Sequence, residues 1–274
     1  MFKDIVINLS VDPAADPVVP YAVSVAEAFS AHLAAIAVTY DPEFPPQATA
    51  VAAKFIDQLR TETERAAAAA RARFDEAARR TGLSAESHVL KATVAGAYPR
   101  FGTLARRFDL SIIGQARPDG GDSEGLIEGA LFESGRPVIV VPYIQASGLK
   151  LDRVMACWDG SRAAARAIAD AMPLLTRAKK VDVVIVDSET ARSDEMPGAD
   201  IAAHLARHEL KLTVERIARG DVDVATNILN YAADQAADMI VMGGYGHSRL
   251  RQFILGGTTR AILRAMTVPT LMSH

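Results

Sequence analysis

The stretch that decides the fold is Asp238-Met-Ile-Val-Met-Gly243-Gly-Tyr-Gly246, in which an apolar run leads directly into glycines. Consecutive apolar residues with no polar face are typical of a parallel strand that is buried on both sides. Glycines after such a strand let the chain turn sharply and bring backbone amides close to a ligand. The first half of the chain repeats the pattern in Asp109-Leu-Ser-Ile-Ile-Gly114. We therefore expect an α/β fold that is built twice.

The two halves also open and close alike. Asp4-Ile-Val-Ile-Asn-Leu resembles Asp152-Arg-Val-Met-Ala-Cys, and both halves close on proline-containing apolar runs at 136–142 and 267–272. A repeat of this length indicates a domain duplication rather than a solenoid. We predict two tandem doubly wound, Rossmann-like domains of about five parallel strands each. Their boundary lies in the polar stretch 145–150, which gives domains 1–146 and 147–274.

Apolar runs alternate with helical patterns in the second half, and the runs predict strands at Val154 to Trp158, Val181 to Val186, Leu212 to Ile217, Met239 to Met242 and Val268 to Met272. In the first half a long helix is predicted over about 47–80, with a core stripe of Phe55, Leu59, Ala66, Ala70 and Phe74. We expect the closing strands Val138 to Val141 and Val268 to Met272 to pair, because they would otherwise leave exposed edges. Ligands of such folds bind at the carboxyl ends of the strands.

Composition excludes several classes of function. The 274 residues carry 30 basic and 33 acidic side chains, so no overall positive field exists to hold nucleic acid or an anionic membrane. Apolar stretches are far shorter than a membrane-spanning helix requires. Cys157 is the only cysteine, which excludes intrachain disulfides and cysteine-rich metal sites and fits a reducing compartment. We expect a cytoplasmic protein with no membrane span and no nucleic-acid partner.

The glycine-rich stretch from Gly243 to Thr259 predicts a phosphate site. It follows a strand and ends where a helical pattern begins, so unpaired helix N–H groups and the helix dipole would favour an anion there. Arg249, Arg251 and Arg260 add positive charge, and no acidic residue lies between Gly243 and Arg260. A phosphate would be held mainly by backbone amides and hydroxyl groups.

This loop resembles that of the universal stress protein family, whose nucleotide-binding members carry Gly, two residues, Gly, nine residues, Gly and then Ser or Thr. Gly243, Gly246 and Gly256 match that spacing. Gly257 stands where the family has Ser or Thr, and Thr258 follows it. Either Thr258 supplies the hydroxyl after a slip of one residue, or only backbone amides remain.

The resemblance implies an adenine nucleotide α hydrolase-like fold and an ATP site in the second half. Asp159, after the first strand of this half, matches the family's acid that contacts the nucleotide, and Val186 matches an apolar wall of the adenine pocket. His247 lies inside the loop as a candidate donor to a phosphate. The expected nucleotide-binding residues are therefore Asp159, Val186, Gly243, Gly246, His247, Gly256, Gly257 and Thr258. Whether Mg²⁺ accompanies ATP is left open, and no redox cofactor or metal site is expected.

The corresponding loop of the first half looks degenerate. Asp119, Asp122 and Glu124 face a single Arg117, and the glycine spacing is absent. Like charges beside a polyphosphate are unfavourable. The acid after the first strand is also displaced, to Asp12. We expect one adenine nucleotide per chain, confined to the second half.

The expected function is that of a stress-responsive, ATP-binding regulatory protein with an unidentified protein partner. The expected assembly is an intrachain pseudo-dimer, and a homodimer is left open. A slow ATPase is one alternative, held back because no general base or Walker-type lysine accompanies the loop. A nucleotide-free interaction scaffold is the other. His204 and His208 are spaced to share a metal, but no third ligand accompanies them, so a solvated helix face is the simpler interpretation.

Overall fold

The computed structural model describes residues 1–11, 16–41, 50–117, 123–186, 199–245 and 257–274. Strands and helices alternate along this part of the chain, except that the fifth strand is followed directly by the sixth. The strands are β1 Asp4–Leu9, β2 His32–Tyr40, β3 Ala85–Ala92, β4 Leu110–Gly114, β5 Val138–Val141, β6 Arg153–Cys157, β7 Lys180–Val186, β8 Leu212–Ile217, β9 Met239–Gly243 and β10 Thr270–Ser273. The helices are α1 Val18–Phe29, α2 Ala50–Thr81, α3 Val94–Ala105, α4 Ser123–Glu133, α5 Arg162–Leu175, α6 Ala199–Ala206, α7 Val224–Asp234 and α8 Gly257–Ala265.

The structure divides into two compact units, and the first consists of Met1–Gly114, Pro118–Arg136 and Ala146–Gly148. Its strands lie in the order β3-β2-β1-β4, and every neighbouring pair is parallel. The central strands are apolar and fully buried, as in Ile5 to Ile7 of β1. Crossover helices on both faces explain this burial.

The second unit consists of Gln115–Arg117, Pro137–Gln145 and Leu149–His274. Its strands lie in the order β5-β10-β9-β6-β7-β8. All neighbours are parallel except β5 and β10, which pair antiparallel with Thr270 opposite Val140. The first strand of this unit in the chain, β6, therefore lies between β9 and β7. The crevice where the strand order reverses is the position at which such folds bind ligands.

These elements confirm the predicted α/β class and the alternation of strands and helices. The closing segments pair as expected, but β5 belongs to the second compact unit although it lies in the first half of the sequence. The boundary after residue 146 and the intrachain pseudo-dimer stay predictions. Among the described residues, no helix combines the length and the hydropathy needed to cross a membrane.

The core stripe of α2 is shorter than the periodicity predicts. Ala70 and Phe74 are buried as expected, whereas Phe55 is 58% exposed. Leu59 and Ala66 are only half-buried. The carboxyl-terminal part of the helix packs on the sheet, so the prediction that Phe55 belongs to the core is wrong. Periodicity identifies the apolar face but not how far a neighbouring element extends along it.

Two glycines let α3 and α4 cross with their backbones in contact. A Cβ added at Gly102 of α3 would collide with the Gly129 carbonyl oxygen of α4. A Cβ at Gly129 would in turn collide with the Tyr98 carbonyl oxygen. Close packing leaves no room for one more methyl group here. The crossing therefore requires glycine at both positions.

A buried carboxylate lies at the opposite end of the second unit's sheet from the carboxyl ends of its strands. Asp182 of β7 accepts a hydrogen bond from the Thr213 hydroxyl at 2.6 Å, and the Lys180 ammonium lies 3.0 Å from the same oxygen. Arg153 Nε lies 3.6 Å from the other oxygen. Burial raises the pKa of the Asp182 carboxyl, but these partners outweigh it and hold the pKa below its ordinary value.

Replacing Gly102 by Ala should lower the free energy of unfolding by about 1–3 kcal/mol, because the new methyl group forces α3 and α4 apart. Urea denaturation followed by circular dichroism measures the change. Gly257→Ala is the matched control, since a Cβ there meets no described atom within 4 Å. Equal stability of the two variants would contradict the close crossing.

Replacing Asp182 by Asn should lower the free energy of unfolding by about 1–3 kcal/mol at pH 7, because Lys180 and Arg153 lose their buried partner. The folded-state pKa lies below the unfolded one, so the carboxylate stabilises the fold above the unfolded value of 3.8. That contribution disappears as the pH falls through the folded pKa. Urea titrations at pH 7 and pH 3 should therefore show the parent and variant converging in acid, and a pH-independent difference would refute the account.

Candidate functional site

The site lies at the carboxyl ends of β6 and β9, where the strand order of the second unit reverses. β6 has β9 on one side and β7 on the other. The helices that follow these two strands, α5 and α8, direct their amino termini to the same edge. Both the expected polar contact at Asp159 and the start of the glycine loop at Gly243 therefore reach this crevice.

A short turn presents Asp159 after β6. The N–H of Trp158 donates to the Val184 carbonyl oxygen at 2.9 Å, which holds the turn against β7. Gly160 adopts φ +73°, a conformation that favours glycine, and Ser161 N–H donates to Asp159 Oδ1 at 2.9 Å. The Ser161 hydroxyl caps α5 by accepting from Ala164 N–H at 3.1 Å. Asp159 is exposed, so its carboxylate can contact a ligand.

Gly243 packs against the backbone of α5. A Cβ added there would lie 2.7 Å from the Ala164 nitrogen and 2.8 Å from the Ala163 carbonyl carbon. Real Cβ atoms do not approach backbone atoms this closely. Glycine at 243 thus brings the end of β9 against the first turn of α5, next to the turn of Asp159. The sequence predicted a glycine for close approach to a phosphate, and the structure gives it a packing role.

A hydrogen bond joins the two flanks of the glycine loop. Tyr245 N–H donates to the Thr259 hydroxyl at 3.1 Å, so the start of the loop lies beside the first turn of α8. Tyr245 has φ 50°, which is costly for a residue with a side chain, and this bond helps to offset that cost. Gly257 and Thr258 are the first residues of α8, where backbone N–H groups lack partners within the helix. Gly257 is exposed and Thr258 half-buried.

Other residues at this edge had no distinctive sequence signal. Gly244 N–H donates to the Ser273 carbonyl oxygen at 2.8 Å, and the His274 ring lies 3.0 Å from the Gly244 carbonyl oxygen. The Ser273 hydroxyl donates to Asp170 of α5 at 3.0 Å. These contacts hold the first glycines of the loop, and only the pairing of β10 beside β9 makes them possible.

Two further residues have simple roles. Val186 is half-buried at the end of β7, two residues beyond the carbonyl that holds Trp158, so it borders the same edge. Cys157 is at the end of β6, where burial and then the nearby Asp159 carboxylate raise the pKa of its thiol to about 12. The thiol therefore stays protonated near neutral pH and is chemically unreactive. Gly246, His247 and Gly256 lie outside the described residues, so their roles stay predictions.

The second half of the chain is similar to a known protein family. The family model of the universal stress protein family matches residues 150–274. This match covers somewhat less than half of the chain, and within it residues 150–274 are similar to the universal stress protein family. The matched region contains β6 to β10 and with them all eight expected binding residues.

Individual proteins are also similar to this chain. A stretch of 67 residues is 39% identical to a universal stress protein from Synechocystis, but it spans only 24% of this chain and 22% of that relative. The crystal structure of a universal stress protein from Archaeoglobus fulgidus is similar over 98% of this chain and 95% of its own, with a TM-score of 0.72 and 15% identity. A functionally unknown protein from Pseudomonas aeruginosa gives a TM-score of 0.63 at 16% identity, over 99% and 92% of the two chains. At these identities the two structures show the fold alone.

The first unit differs from the second unit at the corresponding crevice, after β1. Asp16 Oδ1 accepts from Val18 N–H at 3.0 Å, and its other oxygen accepts from Ser10 N–H at 3.3 Å. Burial raises the pKa of the Asp16 carboxyl, and the two N–H groups offset this only in part. The expected displaced acid, Asp12, lies outside the described residues. A carboxylate of the chain itself thus accepts the first N–H of α1 and an N–H directly after β1.

Metal binding has no support among the parts of the chain that the structure describes. In these ranges no group of three or more His, Cys, Asp and Glu is arranged to hold an ion. The rings of His204 and His208 pack edge to face, with centroids 5.0 Å apart.

Replacing Thr259 by Val should lower the free energy of unfolding by about 1–2 kcal/mol, because Tyr245 N–H loses its acceptor with almost no change in volume. Amide hydrogen exchange at Tyr245 should become faster. Thr258→Val is the matched control, and its stability should stay close to that of the parent. Equal losses in the two variants would show that the Thr259 hydroxyl does not hold the loop.

Proposed function

We propose that this protein binds one adenine nucleotide per chain in its second unit and acts as a stress-responsive regulatory protein. The ligand is ATP, bound with or without Mg²⁺. The hydrogen bond from Tyr245 N–H to Thr259 is the observation that carries the proposal, because it joins both ends of the glycine loop beside the amino terminus of α8. Helix amino termini at a strand-order reversal are the usual anion sites of this architecture.

The described residues suit the two ends of a nucleotide differently. The phosphates face α8, where Gly257 leaves open space and the half-buried Thr258 offers a hydroxyl. The Thr259 hydroxyl is buried and already accepts from Tyr245 N–H. Asp159 contacts the sugar or base, because only one of its oxygens is needed for the turn to Ser161. Val186 supplies an apolar wall at the end of the next strand. Gly246, His247 and Gly256 would complete the phosphate loop.

We assign the nucleotide to the second unit alone because of the negative charges in the first unit. In the first unit the Asp16 carboxylate already accepts the first N–H of α1 and the N–H of Ser10, and it places a negative charge where an anion would bind. Glu124 adds a second negative charge in the first turn of α4. A polyphosphate near these groups would be repelled, so we assign no nucleotide to the first unit.

We propose binding rather than catalysis as the activity. A general base for hydrolysis must lie within hydrogen-bond reach of the water that attacks the phosphate. Asp159 is hydrogen-bonded within its own turn and is assigned to the sugar or adenine end of the nucleotide, so it does not fill that role. A slow ATPase and a nucleotide-free scaffold are the competing outcomes. Native mass spectrometry of the purified protein separates them: retained ATP supports binding, retained ADP alone indicates turnover, and no nucleotide supports the scaffold.

Calorimetric titration with ATP should give one site per chain. Asp159→Ala should weaken binding about ten-fold, because a charged hydrogen bond to the ligand is lost. Asp152→Ala is the matched control, since this exposed carboxylate pairs with Lys179 at the other end of β6. Its affinity for ATP should equal that of the parent.

Fluorescence of Trp158, the only tryptophan in the sequence, should also respond to ATP. Two equivalent sites, or equal affinities of the Asp159 and Asp152 variants, would refute the assignment.

A further inference from the structure

A buried glutamine from the first half of the sequence closes the carboxyl end of α8. Gln115 is only 4% exposed, and its Nε2 donates to the carbonyl oxygens of Leu263 at 2.9 Å and Arg264 at 3.2 Å. Its Oε1 accepts from Tyr143 N–H at 3.2 Å. Both side-chain donors and the acceptor are thus used, and this network leaves one orientation of the amide.

Gln115 occupies the position that starts the glycine loop in the other half. Its N–H donates to Val141 at 2.8 Å, just as Gly244 N–H donates to Ser273 at 2.8 Å. Each of the two residues directly follows the glycine that ends a strand, Gly114 in β4 and Gly243 in β9. The first half therefore has a long polar side chain where the second half has a glycine. Gln115 lies within the second compact unit, together with α8.

Helix α8 needs such support. It has nine residues, and isolated helices of that length are unstable in water. Its last carbonyl groups have no partners within the helix, and Gln115 satisfies two of them with a neutral amide. The other end is held by the bond between Thr259 and Tyr245. Because a short helix moves as a rigid body, a displacement at Leu263 also moves Gly257 and Thr258.

We propose that Gln115 is a positioning residue for the nucleotide site, so that ligand affinity in the second unit depends on a side chain from the first half of the sequence. This inference rests on the proposed function. Gln115 contacts the carboxyl end of α8, whereas the phosphates face its amino end. Its effect is therefore transmitted along the helix and does not come from contact with the ligand.

The test uses Gln115→Met, which keeps the volume and removes the donors, and Gln115→Asn as a milder change in case the first does not fold. We expect faster amide hydrogen exchange in α8 of the ligand-free protein, with exchange in α5 unchanged. ATP affinity should fall about ten-fold for Met and less for Asn. Gln235→Met is the matched control: Gln235 accepts a hydrogen bond from Arg153 at the opposite edge of the sheet. This control should leave α8 exchange and affinity unchanged.

The two readouts separate the inference from the proposed function. If the parent binds no ATP, the proposed function fails, and hydrogen exchange in α8 alone decides whether Gln115 positions that helix. Unchanged exchange in α8 would overturn the inference. Faster exchange with unchanged ATP affinity would also overturn it, since α8 would then move without affecting the site. An equal loss of affinity in Gln235→Met would do the same, because general destabilisation would explain it.

Discussion

The arrangement of the second unit depends on the contact between Gly243 and the first turn of α5. Because residue 243 has no Cβ, the end of β9 can touch the backbone of Ala163 and Ala164. That contact fixes where α5 begins, and with it the Ser161 cap and the turn that presents Asp159. A larger residue at 243 would move α5 outward and widen the crevice. The glycine that marks the ligand loop in the sequence is therefore first a determinant of packing.

Much of the fold could be predicted because strands buried on both faces have a distinctive composition. The apolar runs at 154–158, 181–186, 212–217 and 239–242 all coincide with strands to within a residue or two at each end. Tertiary contacts are harder to predict, because an apolar run does not specify which other element it packs against. The exposure of Phe55, the glycine crossing of α3 and α4, and the place of β5 in the second unit all depend on elements distant in sequence.

The site residues also divide into those that local sequence predicts and those that depend on contacts between distant segments. The positions of Asp159, Val186, Gly257 and Thr258 follow from strand ends and a helix start, which local sequence encodes. The tether from Tyr245 to Thr259 spans fourteen positions and closes only because β10 returns α8 to the sheet. For a related reason, the sequence does not single out Asp16: this residue lies just before α1, and only the fold brings its carboxylate to the N–H of Ser10, directly after β1. Gly246, His247 and Gly256 stay predictions of the motif.

The antiparallel pairing of β5 with β10 leaves β5 with an unpaired edge while the chain is being synthesised. Val138–Val141 leaves the ribosome long before β10 exists, so the edge that later receives β10 stays open while the rest of the second half is made. An open edge of four apolar residues could join the same segment of a neighbouring nascent chain. Pro137 and Pro142 flank it directly, and neither has an N–H to donate. The two prolines therefore limit the number of N–H groups with which this edge could pair to a neighbouring chain.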